Sequence, residues 1–389
     1  MKKNASNEVV DAHVVLLTNF IPPYRLPLYE ALADRVACLT VLVSTPVEAN
    51  RSWRPDHGRL DVRVQRTVSL RRLWRHPAGF SDAAYVHFPW DTLRQLRTLR
   101  PDIVVSSELG FRSVLSAIYC LGSRRARLVL WADLSERTEQ GRGRMRSLVR
   151  RWLFRRANRV VVSGASGHRY VERFGVPPSR IVHVAQPALP DFAKAGATER
   201  TNGPVRNLLF AGQLTERKGL LPFLEVLADW ASAHPGEEVT LTVAGSGPLK
   251  ATLESFESPG RLAIRVVGEQ DPRELPALFE QADAFVFPTL ADQWGLVVNE
   301  ALAAGVPVIG SIHSQAVEEL CEDGTTGWLF DPDDKNSTRP AIDRALATSP
   351  ADLAVMRRRA TERVRTLTPE STADRMVAIL RDALSVRMS

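Results

Sequence analysis

Short runs rich in Val, Ile and Leu alternate with longer amphipathic stretches along most of this chain, which is the pattern of repeated β-α units around a parallel sheet. In the first half the pattern predicts strands over His13–Asn19, Val36–Ser44, Asp61–Val68, Asp102–Ser106, Arg127–Trp131, Arg159–Ser163 and Ile181–Val184, with helix-period segments between most of them. From about Ala185 to Pro204 the pattern breaks into a Pro-, Ala- and Gly-containing stretch ending in Asn202-Gly203-Pro204, which reads as a linker. A second series follows, with strands over Asn207–Ala211, Val239–Ala244, Ala263–Val267, Ala284–Phe287 and Val306–Ile309 and helices near 219–233, 248–257, 273–281, 296–304 and 314–321. The reading is α/β with two Rossmann-like doubly wound parallel-sheet domains, over 1–190 and 205–366, a linker over 191–204, and a last helix over 367–389 expected to pack back on the first domain. Such sheets bind ligands at the carboxyl ends of their strands, here in the cleft expected between the domains.

Composition supports that division. The chain has 389 residues, more than one hydrophobic core usually supports. The net charge of +7 hides an asymmetry: residues 1–200 carry 33 Lys and Arg against 17 Asp and Glu, or +16, and the rest carry 18 against 27, or −9. A basic half suits an anionic surface or substrate. Cys38, Cys120 and Cys321 lie far apart without metal-like spacing and read as buried thiols in a reducing compartment. No segment has the ~18 apolar residues of a membrane span, and no signal-type apolar block follows Met1. A soluble, cytoplasmic protein is expected.

Three segments carry the candidate chemistry. In Phe287–Ala301 a strand leads through a loop containing Asp292 to Gly295 and a helix, so backbone N–H groups near Gly295, Leu296 and Val297 are open to a phosphate. Asp292 and Glu300 are the acids placed there to recognise hydroxyl groups. In Phe210–Gly219, Arg217 and Lys218 stand before a helix, where the dipole disfavours cations and an anionic ligand relieves the cost. The third segment, Val243-Ala244-Gly245-Ser246-Gly247-Pro248, is a glycine turn, weak as a dinucleotide fingerprint because Lys250 stands where a glycine is needed.

Together these segments resemble glycosyltransferase family 4, the retaining nucleotide-sugar transferases of two-domain GT-B architecture. The resemblance is specific over about 206–335, where Asp292 and Glu300 have the spacing of the family's paired acids and Lys218-Gly219 matches its basic motif; Gly324-Thr325-Thr326-Gly327-Trp328-Leu329 also looks like the family's. Two departures stand out. Asp292 is one methylene shorter than the family's Glu, and Gln213 replaces an Arg whose charge Arg217 is placed to restore or not. The resemblance implies Lys218, Asp292 and Glu300 as catalytic residues, and Gly212, Gln213, Arg217, Gly245, Gly268, Gly295, Leu296 and Val297 as donor-binding ones. It makes the second domain the donor-binding one and the first the acceptor-binding one. It implies transfer with retention, the leaving diphosphate helping to deprotonate the acceptor, with no cofactor and no metal. Asp331-Pro332-Asp333-Asp334 accordingly reads as a turn and helix cap.

The first domain matches only as architecture. Instead of a glycine-rich loop after the first strand it has Phe20-Ile21-Pro22-Pro23-Tyr24-Arg25-Leu26-Pro27, whose prolines stiffen the loop so that Tyr24 and Arg25 either face the cleft as acceptor contacts or pack and solvate conventionally. Glu108, after the strand at 102–106, is a third acceptor candidate. The basic maximum, Arg142–Arg156, reads as an amphipathic cationic helix with Arg144, Arg146, Arg150, Arg151, Arg155 and Arg156 beside Trp152, Leu153 and Phe154. It suits an anionic membrane surface at the inner face of the membrane rather than nucleic acid, for which no recognition motif is present. The expected activity is transfer of a sugar from a nucleotide-sugar to a lipid-linked or other saccharide acceptor in cell-surface glycan biosynthesis. The alternatives are a nucleotide-sugar epimerase or hydrolase, or an inactive transferase-like scaffold.

Overall fold

A computed structural model describes residues 9–48, 55–196 and 203–385. The chain divides into two compact units, one of Met1–Trp74, Ala83–Pro187 and Pro369–Ser389, the other of Arg75–Asp82 and Ala188–Thr368.

The first unit runs β1 (Val10–Thr18), α1 (Leu26–Ala33), β2 (Val36–Val43), β3 (Asp61–Val64), β4 (Thr67–Arg75), β5 (Ser81–Pro89), α2 (Thr92–Leu99), β6 (Ile103–Ser107), α3 (Phe111–Leu121), β7 (Arg127–Ala132), α4 (Arg144–Arg156), β8 (Arg159–Val162), α5 (Ala165–Glu172) and β9 (Ile181–His183). Seven parallel strands form its sheet in the order β3-β2-β1-β6-β7-β8-β9. Val14 to Leu17 of β1 are all buried, as expected of a strand covered on both faces. Strand order reverses between β1 and β6, so the loops after these two strands meet at the switch point.

The second unit follows with α6 (Pro190–Gly196), β10 (Asn207–Ala211), α7 (Leu220–Ala233), β11 (Glu238–Ala244), α8 (Lys250–Glu254), β12 (Arg261–Gly268), α9 (Leu275–Gln281), β13 (Ala284–Phe287), α10 (Leu296–Ala303), β14 (Val308–Ser311), α11 (Gln315–Leu320), β15 (Gly327–Phe330), α12 (Lys335–Leu346) and α13 (Pro350–Val364). Its sheet has the order β12-β11-β10-β13-β14-β15, with the switch point between β10 and β13. A last helix, α14 (Pro369–Ser385), returns to the first unit, where Met376, Val377, Ile379 and Leu380 join a core with Leu28, Ala31 and Leu32 of α1. Burial of each such large aliphatic side chain stabilises by roughly 1.5–3 kcal/mol.

Several expectations need correction. The stretch expected as a linker over 191–204 begins as a helix, α6, because Phe192 and Ala195 lie three apart on one face and are buried; Phe192 meets Phe279 edge-on at 5.5 Å. Residues 197–202 of that stretch lie outside the described residues. The strand expected over Asp61–Val68 is two, β3 in the sheet and β4 in a two-stranded ribbon with β5. The ribbon turns through His76–Phe80, where His76 N donates to Phe80 O at 2.9 Å. The apolar pattern did not announce it, since Val68, Leu70 and Leu73 are exposed rather than core. β15, which has no predicted counterpart, pairs with β14 through Gly327–Phe330. Cys120 and Cys321 are buried, but Cys38 is exposed, standing before the packed stretch Leu39–Val43 of β2.

Candidate active site

At the switch point of the second unit, the loop after β10 and the loop after β13 are stitched together through their backbones. Leu290 N donates to Arg217 O at 2.8 Å and Thr289 Oγ1 to the same oxygen at 3.2 Å. This brings residues 74 positions apart into one charge cluster. Lys218 Nζ lies 2.5 Å from Asp292 Oδ2 and 4.9 Å from the centre of the Phe287 ring. Arg217 donates from Nε to Asp82 Oδ2 at 2.6 Å and from Nη1 to Ala291 O at 3.0 Å, with Asp292 Oδ2 3.4 Å from Nη1. Burial pushes the Lys218 pKa down, against the pull of Asp292. Burial alone would raise the Asp292 pKa, but Lys218 and Arg217 outweigh it and hold the carboxyl below its ordinary range. The cations at 217 and 218 are therefore met by carboxylates of the protein, Asp82 and Asp292, a pairing the dipole argument did not foresee. Asp82 was not legible in the sequence: it lies 135 residues from Arg217, in the Arg75–Asp82 segment of this unit.

Gly295 begins α10 with φ +102°, and a Cβ there would stand 2.7 Å from both Phe287 Cε1 and Ser314 Oγ, so glycine is required on conformational and steric grounds. The loop before it is held by Asp292 N donating to His313 O at 3.2 Å and Ser314 Oγ donating to Trp294 O at 2.6 Å. No side chain caps α10 and no acid lies in its first turn, so the N–H groups at Leu296 and Val297, both half-buried, face whatever occupies that end. Glu300, in the second turn, is 9% exposed and has no side-chain hydrogen-bond partner among the described residues. Burial raises its carboxyl to about 7.

The glycines expected at the donor site lie side by side at the carboxyl ends of β10, β11 and β12. Gly212 N donates to Ala244 O at 2.9 Å and Gly245 N to Gly268 O at 2.7 Å. At Gly245, φ is +147° and a Cβ would come within 1.9 Å of Gly212 O. Gln213 is half-buried beside them, and Arg217 is already committed to Asp82 and the Ala291–Asp292 loop. Next to this site, Asp334 caps α12, accepting from Asn336 N at 2.9 Å, as a turn-and-cap reading requires. His313 Nε2 approaches Asp331 Oδ1 at 3.2 Å and Asp333 Oδ2 at 4.0 Å, a grouping that the spacing alone did not indicate.

In the first unit, Glu108 meets the end of β1 across the switch point. Its Oε1 accepts from Thr18 Oγ1 at 3.1 Å and Asn19 N at 3.2 Å, and its Oε2 pairs with buried Arg112, which also donates to Asn19 Oδ1 at 2.6 Å. Glu108 and Leu109 both have positive φ, +63° and +45°, in consecutive non-glycine residues. Such strain persists only where surroundings over-determine it. Arg112, in the first turn of α3, was not among the expected site residues; helical spacing does not reach it from Glu108, which lies in the turn before the helix. Arg25 is not presented outward: it is buried, donates to Asp133 Oδ2 at 2.7 Å and stacks over Trp131 at 5.0 Å. The stiff Pro22–Pro23 loop turns it inward, because Asp133 at the end of β7 supplies its counter-charge, while Tyr24 stays half-buried.

α4 also departs from expectation. Arg150 is buried, paired with Glu139 and donating to Tyr170 OH at 2.6 Å, while Leu153 and Phe154 belong to the core. The exposed residues are Arg144, Met145, Ser147, Leu148, Arg151, Arg155 and Arg156, with Met145 74% and Leu148 61% exposed. The exposed apolar residues among these arginines are thus Met145 and Leu148, while Arg156 lies over the Trp152 ring at 4.2 Å. Among the described residues no helix is long and apolar enough to cross a membrane.

Seven- and six-stranded doubly wound sheets in one chain are the GT-B architecture. Residues 21–186 match the family model described as glycosyl transferase 4-like domain, and residues 205–348 that described as glycosyl transferases group 1; the chain belongs to this glycosyltransferase family. It is 31% identical over 205 residues to a glycogen synthase of Mycobacterium tuberculosis, covering 52% of this chain and 49% of that one. To the amylovoran biosynthesis glycosyltransferase AmsK of Erwinia amylovora it is 28% identical over 219 residues, 54% of this chain and 53% of the other. The chain thus spans about half the length of the curated relatives it matches. The fold is also that of Anabaena Alr3699/HepE in complex with UDP, with a TM-score of 0.68 at 16% identity over 95% of this chain and 99% of that one.

Proposed function

We propose that the chain is a retaining glycosyltransferase that moves a sugar from a nucleotide-sugar to a lipid-linked or other saccharide acceptor in cell-surface glycan biosynthesis. The observation that carries the reading is the convergence, at one switch point, of half-buried Lys218, the uncapped start of α10 and the Glu300 carboxyl, which has no side-chain partner among the described residues. The N–H groups of Leu296 and Val297 and the Lys218 ammonium receive the diphosphate, and the glycines at 212, 245 and 268 let the nucleotide approach the strand ends. Glu300, as carboxylate, accepts hydrogen bonds from sugar hydroxyls. Asp292 holds Lys218 in place, and Arg217 holds Asp292, so Gln213 is not compensated by Arg217; Lys218 is the cation directed at phosphate.

In the reaction the bond from the anomeric carbon to the leaving phosphate oxygen breaks as the acceptor oxygen bonds to the same face. The acceptor proton passes to that phosphate oxygen. Charge grows on the diphosphate, and Lys218 with the helix-start amides stabilises it most in the transition state. No step needs a metal or cofactor. AmsK's name places it in the biosynthesis of a polysaccharide, and HepE is described with UDP and with UDP-glucose, which supports a nucleotide-sugar donor and a saccharide product. For the acceptor, the strained Glu108 at the first unit's switch point is the favoured contact, with Tyr24, in the turn after β1, a second candidate. We place the protein at the cytoplasmic face of the membrane, held by the exposed arginines of α4 with Met145 and Leu148 entering the lipid boundary. The test is a panel of UDP-, GDP- and ADP-sugars, with turnover followed by nucleotide release and product configuration by NMR. Retained configuration in a new glycosidic bond is expected; free sugar or an epimer as the sole product would overturn the reading.

A further inference from the structure

A cavity of about 350 Å³ in the first unit is lined by Arg63, Arg66, Asp91, Arg94, Gln95 and Thr98. Arg63 belongs to β3, the edge strand of the sheet; Arg66 follows its carboxyl end; the other four come from the start and body of α2. Three guanidinium groups therefore share one hollow with one carboxylate, whose hydrogen bonds go to a backbone N–H and an amide rather than to a guanidinium. Asp91 accepts from the Arg66 backbone N–H at 3.1 Å and from Gln95 Nε2 at 2.8 Å, and no ion pair joins it to any of the three arginines. Among the described residues Arg63 pairs with Asp61 alone, at 3.2 Å with both side chains about half exposed, which neutralises little. Arg94 sits in the first turn of α2, where the helix dipole opposes a cation; the one acid at that helix start is the N-cap Asp91, which makes no ion pair with it. The Arg66 guanidinium lies over the ring of Trp90 at 5.6 Å, and Trp90, next in sequence to Asp91, is 57% exposed.

Three guanidinium groups gathered in a concavity with one carboxylate among them leave an excess of positive charge, and a guanidinium fork matches the paired oxygens of a phosphate. We infer that this cavity binds a phosphate-class oxyanion, carried either by a soluble phosphorylated saccharide or by a lipid headgroup. The site lies at the edge strand rather than at either switch point and does not depend on the donor reading.

The test uses the full chain labelled with 5-fluorotryptophan, with the Trp90 resonance among the eight tryptophans assigned by Trp90→Phe. Inorganic pyrophosphate should shift that resonance saturably, and Trp90 reports this cavity even while pyrophosphate also occupies the site at Lys218. Arg66→Gln and Arg94→Gln should each weaken the Trp90-detected binding by about tenfold, the loss of one charged hydrogen-bond partner. Arg97→Gln, on the same helix but outside the cavity, should leave it unchanged. No saturable shift, or equal losses in all three variants, would overturn the inference. Vesicles of phosphatidic acid separate the two sources: binding that falls in Arg94→Gln and competes with pyrophosphate assigns a lipid phosphate, and vesicles that leave the pyrophosphate titration unchanged assign a soluble phosphate ester.

Discussion

Replacing Glu300 by Gln separates what this residue does for function from what it costs the fold. The carboxyl is buried without a partner, and burial alone lifts it to about 7. Its folded pKa is thus above its unfolded value near 4.5, and the sign follows from proton counting. Between pH 4.5 and 7 the unfolded chain has lost this proton and the folded chain retains it, so stability falls as pH rises through that window and stays low above it. A gap of about 2.5 pH units at ~1.4 kcal/mol each amounts to about 3 kcal/mol at pH 8.5, and to less than ~0.5 kcal/mol at pH 4.5. Glutamine has the shape of the protonated acid and no ionisation. The Glu300→Gln variant should therefore gain about 3 kcal/mol over wild type between pH 4.5 and pH 8.5, whatever constant offset the amide introduces. Urea unfolding followed by tryptophan fluorescence at both pH values measures it. The same variant should bind UDP more weakly, and wild-type binding should tighten about tenfold per pH unit up to about 7 and then level off, because the ligand hydroxyls donate to the ionised form. A stability difference that stays constant across this range would refute the burial argument, and pH-independent UDP binding would remove Glu300 from the ligand.

Lys218→Ala should lower turnover more than it raises the UDP-sugar dissociation constant, since charge on the leaving phosphate peaks in the transition state, and Lys218→Arg should rescue only part; pre-steady-state turnover with calorimetry decides it. Arg150→Gln should destabilise the chain by about 1–3 kcal/mol in urea unfolding, because it removes the buried partner of Glu139 and leaves that carboxylate, among the described residues, only Arg146, at 3.5 Å. Changing Arg144, Arg151, Arg155 and Arg156 together to Gln should abolish co-sedimentation with phosphatidylglycerol vesicles and leave UDP binding unchanged. Wild-type binding should itself weaken with salt, as attraction decays over a Debye length of ~8 Å at physiological ionic strength. Met145→Ser with Leu148→Ser should weaken vesicle binding without changing its salt dependence, and wild type that ignores vesicles at low salt would end the membrane reading.

Which features were legible in the sequence follows from the range of the interactions that make them. The core strands of both sheets and the glycine turns at 245 and 295 depend on runs of neighbouring residues, so the local pattern carried them: β10 and β13 occupy the expected residues, and α10 begins directly after Gly295. Lys218, Asp292 and Glu300 stand in recognisable spacing because strand, loop and helix follow one another without interruption. The sequence did not contain, in any local form, the partner of Arg217, because Asp82 is 135 residues away. Nor did it show which arginines of 142–156 are exposed: a helical repeat places Arg150 and Arg151 as neighbours, and only the packing of α4 buries one against Glu139 and leaves the other to solvent. Arg25 turned inward for the same reason, the counter-charge of Asp133 being supplied by a strand more than a hundred residues on. Periodicity determines which face of an element is apolar; which charge a side chain meets depends on chain crossings that bring distant segments together, and that was decided by the tertiary fold alone.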